Sequence, residues 1–259
     1  MAEAAERKPD TKKHVRDALL AGGGIILSAA AMLWAATTNV DRGYMYASIL
    51  IMLFVLVPFY VSFEKDRPYA RQIVLIAVMV TIAVAGRAAF FWIPQFKPII
   101  AVVIIAGVAM GAQTGFVVGS MSAFVSNFIF GQGPWTPFQM VAWGLIGMVA
   151  GLLFYRKMGP GAKAADGPDA NRQIGKGGLA ALLIYGAMSC FIFHGAITDL
   201  WTALSLTDYP TLGVILTVYG TGLIADAVLA AATVIFLLLM ARPMLKKLDR
   251  VMTKYGMLE

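Results

Sequence analysis

Charged residues are scarce in this chain, and their scarcity excludes most soluble folds. Of its 259 residues only 14% are Asp, Glu, Lys or Arg, whereas 59% are hydrophobic. A soluble globular domain carries about a quarter charged residues. The apolar residues fall in long runs, which are typical of membrane-spanning helices. The net charge of +7 does not indicate nucleic-acid binding, because the basic residues cluster in short segments between the apolar runs.

Cysteine, histidine and the common catalytic motifs are also scarce or missing. The single cysteine, Cys190, lies in an apolar run and is predicted to be a small packing residue, since one thiol builds neither a disulfide framework nor a thiolate metal site. The sequence contains no H-E-x-x-H pair, no G-x-S-x-G elbow and no G-x-x-x-x-G-K-[ST] loop for ATP. We therefore expect no enzyme activity and no bound metal or cofactor. Active transport would need energy from a partner or an ion gradient.

Long apolar runs are what the sequence has instead. They cover residues 18–36, 44–63, 73–92, 98–130, 139–154, 179–198 and 212–241. As one helix, the run 98–130 would be about 50 Å long, against a hydrocarbon core of about 30 Å. Because glycines and a polar pair interrupt its middle, we expect a hairpin that turns near Gly111–Gly115, with halves near 98–112 and 115–130.

The distribution of basic residues supports this hairpin. With it, every Lys and Arg except Arg42, Arg87 and Lys97 falls on one side of the membrane, which the positive-inside rule assigns to the cytoplasm. Without it, either the basic loop 155–178 or the basic C-terminus would lie outside. The sequence therefore predicts an all-α polytopic membrane protein with about eight transmembrane helices and both termini in the cytoplasm.

Three segments on the predicted outer side are rich in aromatic residues, and prolines and glycines punctuate them. They cover residues 90–98, 131–137 and 201–210. Aromatic residues at this depth form an interfacial belt in many membrane proteins. Pre-shaped aromatic loops on one face also suit the mouth of a ligand-binding site. Both interpretations stay open at this point.

Several polar residues lie at membrane depth, where they are costly and often functional. Asp226 and Arg87 either pair with each other or line a polar cavity. In a solitary ion-coupled transporter, these two would be the coupling residues. His194 is either a hydrogen-bonded packing residue or a ligand contact. Asn127 either caps the end of its helix or contacts a substrate.

Small residues recur four apart along the predicted helix 73–92, which lets another helix approach closely. They are Ala77, Thr81, Ala85 and Ala89. This ridge either packs inside the protein or serves as a docking face for a second membrane subunit.

A set of spaced motifs resembles a known family. It comprises Gly86-Arg87 followed by Pro94-Gln95-Phe96-Lys97-Pro98, a glycine at every fourth position from Gly107 to Gly119, Ser126-Asn127, and the block Gly131-Gln132-Gly133-Pro134-Trp135-Thr136-Pro137. Over residues 73–241 the chain resembles the S-components of energy-coupling factor (ECF) transporters, the membrane subunits that bind vitamins. It is most similar to those assigned to cobalamin (vitamin B12) and cobinamide.

The resemblance implies an architecture and a set of partners. A six-helix core within 64–259 would bind the vitamin, and 1–63 would add a cytoplasmic N-terminus and two extra helices. The ridge from Ala77 to Ala89 would face a transmembrane coupling subunit driven by two ATPases. The pocket would be roofed by the loops 87–98, 131–138 and 199–212. Cobalamin would be the transported substrate, and the chain would lie in a bacterial plasma membrane.

The resemblance also implies which residues meet the substrate. The predicted contacts are Arg87, Phe90, Phe91, Trp92, Gln95, Phe96, Asn127, Gln132, Trp135, Thr136, His194, Asp199, Trp201 and Tyr209. Three alternatives stay open: an S-component for a different vitamin, an ion-coupled transporter acting alone, and a membrane assembly or anchoring protein. Inverted internal repeats would support the second alternative, and the sequence displays none.

Overall fold

A computed structural model describes residues 43–65, 70–159, 175–207 and 211–257, together with the isolated positions 19, 23, 26, 27, 30 and 34. Every regular element in these residues is helical. Helix α1 covers residues 43–65 as Gly43–Ile51, a π-helical stretch Met52–Leu56, and Val57–Lys65. The helices after it are α2 (Ala70–Ala89), α3 (Ile99–Met110), α4 (Ala112–Phe130), α5 (Thr136–Met158), α6 (Lys176–Leu206) and α7 (Leu212–Lys254). The all-α prediction is confirmed.

The helices also have the dimensions of a membrane protein. Within the described residues, four are long and apolar enough to cross a bilayer: α2, α5, α6 and α7. This supports a polytopic membrane protein, while the count of eight spans stays a prediction. The first predicted helix, 18–36, lies outside the described residues except at a few isolated positions.

Helix boundaries differ from the predicted ones where polar residues lie on the helices. Helix α6 continues to Leu206 instead of ending at 198, so Asp199 and Trp201 are helical rather than part of a loop. Helix α7 continues to Lys254 instead of ending at 241. Helix α2 covers Ala70–Ala89 instead of 73–92. The apolar runs underestimated α6 and α7 because a helix continues past its apolar residues when its polar side chains face a cleft or water.

The hairpin in segment 98–130 is confirmed. Its turn is a single residue, Gly111, with φ 90° and ψ 174°, a conformation that side chains with a Cβ rarely adopt. Pro98 at one end contacts Gly86, and Asn127 at the other end bonds Arg87. Because both ends lie beside the end of α2, helices α3 and α4 run antiparallel.

Glycines bring α3, α4 and α5 into backbone contact. A Cβ added at Gly107 or Gly115 would overlap the carbonyl oxygen of Gly147, and one added at Gly119 would overlap that of Trp143. The regular spacing of these glycines therefore serves close helix packing. All twelve residues of α3 are buried. At a length of about 18 Å, α3 is too short to cross a bilayer alone.

Side chains of helix α1 contact α4 and the segment that joins α4 to α5. The rings of Phe59 and Phe116 lie 3.8 Å apart between centroids, and the Tyr60 hydroxyl lies 2.6 Å from Ser120 Oγ. Farther along, Ser48 Oγ donates a hydrogen bond of 2.6 Å to the carbonyl oxygen of Pro134. The helix therefore reaches from the hairpin to the segment that joins α4 to α5. The division of the chain at residue 63 stays a prediction.

Candidate functional site

A cleft lies at the end of the bundle where the 90–98 and 131–135 segments join the helices. It consists of two adjoining cavities of about 250 and 90 Å³. Both are lined by Gln95, Gln139 and His194. The larger cavity is completed by Trp135, Phe138, Thr198, Asp199, Trp201, Thr202, Ala225 and Asp226. The smaller one is completed by Arg87, Lys97, Ile99, Trp143 and Leu229.

The predicted contact residues divide into two groups. Those that line the cleft are Arg87, Gln95, Trp135, His194, Asp199 and Trp201. Those placed elsewhere are Phe90, Phe91, Trp92, Phe96, Asn127, Gln132 and Thr136. Tyr209 lies outside the described residues. Whether each residue binds substrate stays a prediction.

The aromatic residues of the 90–98 segment hold that segment in place. Phe90 and Phe96 pack against each other and against Phe236 of α7, with ring centroids 5.2–6.0 Å apart. Phe91 packs on Phe130, at 5.2 Å. Trp92 is 88% exposed. These rings shape the segment, while its cleft-lining residues are Gln95 and Lys97.

Gln95 has an unusual backbone conformation. Its φ of 55° makes it the one non-glycine residue with positive φ among the described residues. Few side chains other than Asn and Asp adopt this left-handed region. Such conformations cluster at ligand sites, where the surrounding structure enforces them. Here the bend directs the Gln95 side chain to both cavities.

A chain of hydrogen bonds orients the amides at one wall of the cleft. The Arg87 guanidinium donates to Ser126 and to Asn127 Oδ1, the latter at 2.9 Å. Because a guanidinium only donates, the oxygen of Asn127 faces it, and Nδ2 of Asn127 donates to Gln139 Oε1 at 2.9 Å. The remaining group of Gln139, its Nε2–H₂, is a donor for the cleft. The Asn127 amide therefore acts behind the wall.

Gln132 and Thr136 extend this network away from the cleft. Thr136 Oγ1 donates to Gln132 Oε1 at 2.9 Å and accepts from Asn127 Nδ2 at 3.1 Å. Gln132 Nε2 donates to the carbonyl oxygen of Phe124 at 2.8 Å. Both ends of the Gln132 amide are thus used within the protein. These bonds brace the segment between α4 and α5.

The tautomer of His194 is set by Trp143. The indole Nε1 of Trp143 donates to His194 Nδ1 at 3.1 Å. Because an indole nitrogen only donates, Nδ1 carries no proton, so the proton of the neutral ring is on Nε2. His194 lies in the π-helical stretch Cys190–Gly195 of α6 and lines both cavities. It therefore offers an N–H donor to the cleft.

Two carboxylates line the larger cavity, and each packs on a glycine of the opposite helix. Asp226 of α7 contacts Gly195 of α6, and Asp199 of α6 contacts Gly222 of α7. The sequence repeats Gly-x-x-x-Asp at both places. Throughout the described ranges, no hydrogen bond or ion pair joins either carboxylate to another group. Asp226 therefore lines a polar cavity and does not pair with Arg87.

Positive charge lies at the other end of the cleft. The Arg87 guanidinium stacks over Phe130 and Trp143, at 4.1 and 5.1 Å from the ring centroids. The Lys97 ammonium lies 4.9 Å from the centroid of Phe130. Burial lowers the pKa of Lys97, and the nearby Arg87 lowers it further. The cleft therefore has a basic end and an acidic end.

Sequence reasoning missed several lining residues. Gln139, Thr198 and Thr202 were not singled out, and Asp226 was considered only as a charge partner or a cavity residue. The repeated Gly-x-x-x-Asp spacing is the sequence pattern that indicates a shared location for Asp226 and Asp199. Gln139 has no such signal, because only the folded Arg87–Asn127 network brings it to the cleft.

The predicted small-residue ridge lies on the surface of α2. Ala77, Thr81, Ala85 and Ala89 are all exposed, whereas Ala83 on another face is buried. Thr81 Oγ1 donates to the Ala77 carbonyl oxygen at 2.8 Å, so its hydroxyl is satisfied within the helix. The ridge is thus accessible on the surface of the described helices, and its role in docking stays a prediction.

Comparison with known protein families identifies the family of this chain. The family model described as ECF-type riboflavin transporter, S component, matches residues 69–242. The chain belongs to this family. As an ECF S component it is the substrate-binding subunit of a transporter and not an enzyme, with ATP hydrolysis carried out by other subunits. No curated protein and no solved structure matches the chain.

The family match covers most, but not all, of the described helices. It covers α2 to α6 and most of α7, close to the range 73–241 inferred from the motifs. Helix α1 lies before it, and the last twelve residues of α7 lie after it. The ECF expectation is confirmed, whereas the match gives no support to cobalamin as the substrate.

Proposed function

We propose that this S component captures a vitamin in the cleft between the 90–98 segment, α5, α6 and α7. The observation that carries the proposal is the set of oriented polar groups facing a cavity walled by Trp135 and Trp201, whose rings lie 5.6 Å apart. Ligand sites are typically apolar clefts with a few polar groups that fix orientation. The cleft also lies where the 90–98 and 131–135 segments join the helices, as expected for an entrance.

Riboflavin is the first candidate substrate. The family model carries its name. The larger cavity of about 250 Å³ lies slightly below the roughly 300–1,000 Å³ usual for small-ligand clefts, and the smaller cavity of about 90 Å³ adjoins it. A flavin has one flat ring system that suits the edge-to-face pair of Trp135 and Trp201. Its ring carries carbonyl and N–H groups for the polar atoms of the cleft.

Cobalamin is the second candidate, favoured by the loop motif that resembles cobalamin S-components. The observed geometry weakens that argument. Of the block Gly131–Pro137, only Trp135 lines the cleft, while Gln132 and Thr136 bond within the protein. The block therefore supports the scaffold more than it selects a ligand. A corrinoid is also several times larger than a flavin.

We extend the proposal to partners and orientation. The exposed ridge on α2 would dock on the transmembrane coupling subunit of an ECF complex, whose two ATPases would drive substrate release. Basic residues support a cytoplasmic location for the end opposite the cleft, since Arg71 at the start of α2 bonds the Tyr255 carbonyl at the end of α7, and Arg156 and Lys157 end α5. The cleft would then open to the outside of a bacterial plasma membrane.

Uptake into proteoliposomes tests the substrate. The full chain is reconstituted with coupling and ATPase subunits, and uptake of radiolabelled riboflavin or cyanocobalamin is measured with and without ATP on the ATPase side. We expect ATP-dependent riboflavin uptake that is lost without the coupling subunit. Uptake of cyanocobalamin alone would replace riboflavin with the second candidate. Assembly of the complex with uptake of neither would overturn both substrates.

A matched pair of variants tests the ridge. Ala85→Leu adds bulk in the middle of the ridge, and Ala231→Leu makes the same change at an exposed alanine of α7. We expect Ala85→Leu to abolish co-purification with the coupling subunit and to leave vitamin binding by the isolated chain unchanged. Equal behaviour of the two variants would move the docking face elsewhere.

A further inference from the structure

The polar side chains that face the cleft offer it hydrogen-bond donors and acceptors. Gln139 and His194 present N–H groups, because Asn127 and Trp143 occupy their accepting atoms. Asp199 and Asp226 present carboxylate oxygens, which in the ionised form act as acceptors and never as donors. Each donor is oriented by another residue of the protein, so its direction is fixed before a ligand arrives.

Two of these groups are too deeply buried to be ordinary surface residues. His194 is 8% exposed and Asp226 is 5% exposed, and both line the larger cavity. Across the residues that the structure describes, the Nε2 atom of His194 and the carboxylate of Asp226 have no hydrogen-bond partner. Neither atom is sealed off from the cavity, since the fully buried unpaired side-chain atoms of the described residues are Gln113 Nε2, Ser122 Oγ and Trp201 Nε1. Both polar atoms are therefore open to a partner that enters the cavity.

The donor and the acceptor line the same cavity from two packed helices. Asp226 packs directly on Gly195, the residue after His194. The π-helical stretch Cys190–Gly195 brings this part of α6 to the cavity, and such stretches are frequent at functional sites. Trp201 lies farther along the same helix and lines the same cavity. A flat group resting on Trp201 would therefore share the cavity with both polar atoms.

We infer that His194 and Asp226 form a subsite for a lactam, imide or amide group of the ligand. The ligand carbonyl oxygen accepts from the Nε2–H of His194, and the neighbouring ligand N–H donates to the Asp226 carboxylate. The inference rests on the proposed function for the identity of the ligand. Riboflavin carries an imide and cobalamin carries primary amides, so the subsite serves either candidate.

The empty protein provides a test that needs no ligand. A buried carboxylate that serves to bind a ligand lowers the stability of the empty protein, whereas a carboxylate that supports the fold raises it. We expect Asp226→Asn to raise the melting temperature of the purified full chain by a few degrees. Asp249→Asn on the same helix is the control outside the cleft. A lower melting temperature for Asp226→Asn than for the control would overturn the subsite.

Binding tests the ligand side of the inference. With the vitamin that the uptake assay identifies, Asp226→Asn should weaken equilibrium binding by about tenfold, because a charge-assisted hydrogen bond becomes a neutral one. Asp249→Asn should leave the affinity unchanged. If riboflavin is the ligand, 3-methylriboflavin lacks the N–H and should bind the wild type at least about tenfold more weakly than riboflavin does. Asp226→Asn should reduce that discrimination.

These results separate the subsite from the choice of vitamin. A stabilised Asp226→Asn variant with unchanged affinity for the transported vitamin would overturn the subsite and leave the proposed function standing. If neither vitamin binds, the proposed substrates fail, and the melting experiment alone decides the subsite. A stabilised variant then supports a ligand at this position, and a destabilised one overturns it.

Discussion

The two halves of the bundle are built on opposite principles. In α3, α4 and α5, glycines bring backbones into contact, and all residues of α3 and most of those in α4 and α5 are buried. In α6 and α7, glycines instead make room for the side chains of aspartates, and a π-helical stretch interrupts the regular helix. Glycine therefore allows close backbone contact in one half and leaves room for a side chain in the other. The first half is a scaffold, and the second supplies most of the cleft.

The largest effect is expected from adding one methyl group to the scaffold. A Cβ at Gly147 would overlap the backbone carbonyl of Gly115, and a carbonyl cannot rotate away as a side chain can. We expect Gly147→Ala to destabilise the protein by at least about 3 kcal/mol, the upper range for overpacking. Loss of a monodisperse peak after mild heating in detergent would report it.

The control for this variant lies on α7. Gly220 is exposed and has no atom within 4 Å of an added Cβ. Gly220→Ala should therefore stabilise its helix by up to about 1 kcal/mol. If both variants have the same stability, backbone contact between α3, α4 and α5 is not what holds the scaffold.

A second effect is expected where the two halves meet. Trp143 of α5 donates to the buried His194 of α6, so Trp143→Phe leaves a buried acceptor without its donor. We expect a loss of about 1–3 kcal/mol and a mixture of His194 tautomers. Nitrogen-15 NMR of histidine-labelled protein would detect the mixture, since the chain has two histidines.

The tautomer readout separates two explanations of a loss in stability. If Trp143 only fills volume, Trp143→Phe lowers stability while His194 keeps its proton on Nε2. A shift toward Nδ1 protonation shows that the indole orients the ring. His14→Gln identifies the second histidine signal without touching this contact.

The scaffold was easier to predict from the sequence than the cleft. The glycine repeat of the scaffold is a local pattern, so the hairpin and its turn near Gly111 were predicted from spacing and from the charge distribution. The placement of the aromatic residues was harder to predict, because Phe90 and Phe96 cluster on Phe236, a partner distant in sequence. Whether a ring faces a cavity or braces a loop depends on such distant contacts.

Polar residues of the cleft were predictable only in part. Arg87, His194 and Asp199 stand out in an apolar sequence because ionisable residues are rare at membrane depth. Gln139 does not, since a glutamine near a helix start is common. Its place in the cleft follows from a hydrogen-bond chain through Asn127, which no spacing rule reveals.

A smaller effect is expected from adding a methyl group in the cleft half. A Cβ at Gly195 would overlap the carboxylate of Asp226, the far end of a flexible side chain. Gly195→Ala should therefore displace Asp226 and weaken vitamin binding by about tenfold, equivalent to about 1.4 kcal/mol. Equilibrium binding to the purified chain measures it.

Comparison with Gly147→Ala makes this prediction specific. The same substitution should unfold the scaffold at Gly147 and spare the fold at Gly195, because the neighbour is backbone in the first place and a side chain in the second. Gly195→Ala with unchanged affinity and strongly reduced stability would mean that both halves are packed alike.

The smallest effect is expected from helix α1, which lies outside the family match. Ser48 donates to the carbonyl oxygen of Pro134 in the segment between α4 and α5, yet that segment is also held by Gln132, Thr136 and Asn127. Ser48→Ala should therefore cost about 1 kcal/mol or less and change vitamin affinity less than twofold. Thermal melting and equilibrium binding of the same preparation measure both. A tenfold loss of affinity would mean that α1 positions Trp135 at the cleft and that the binding site extends beyond the six-helix core.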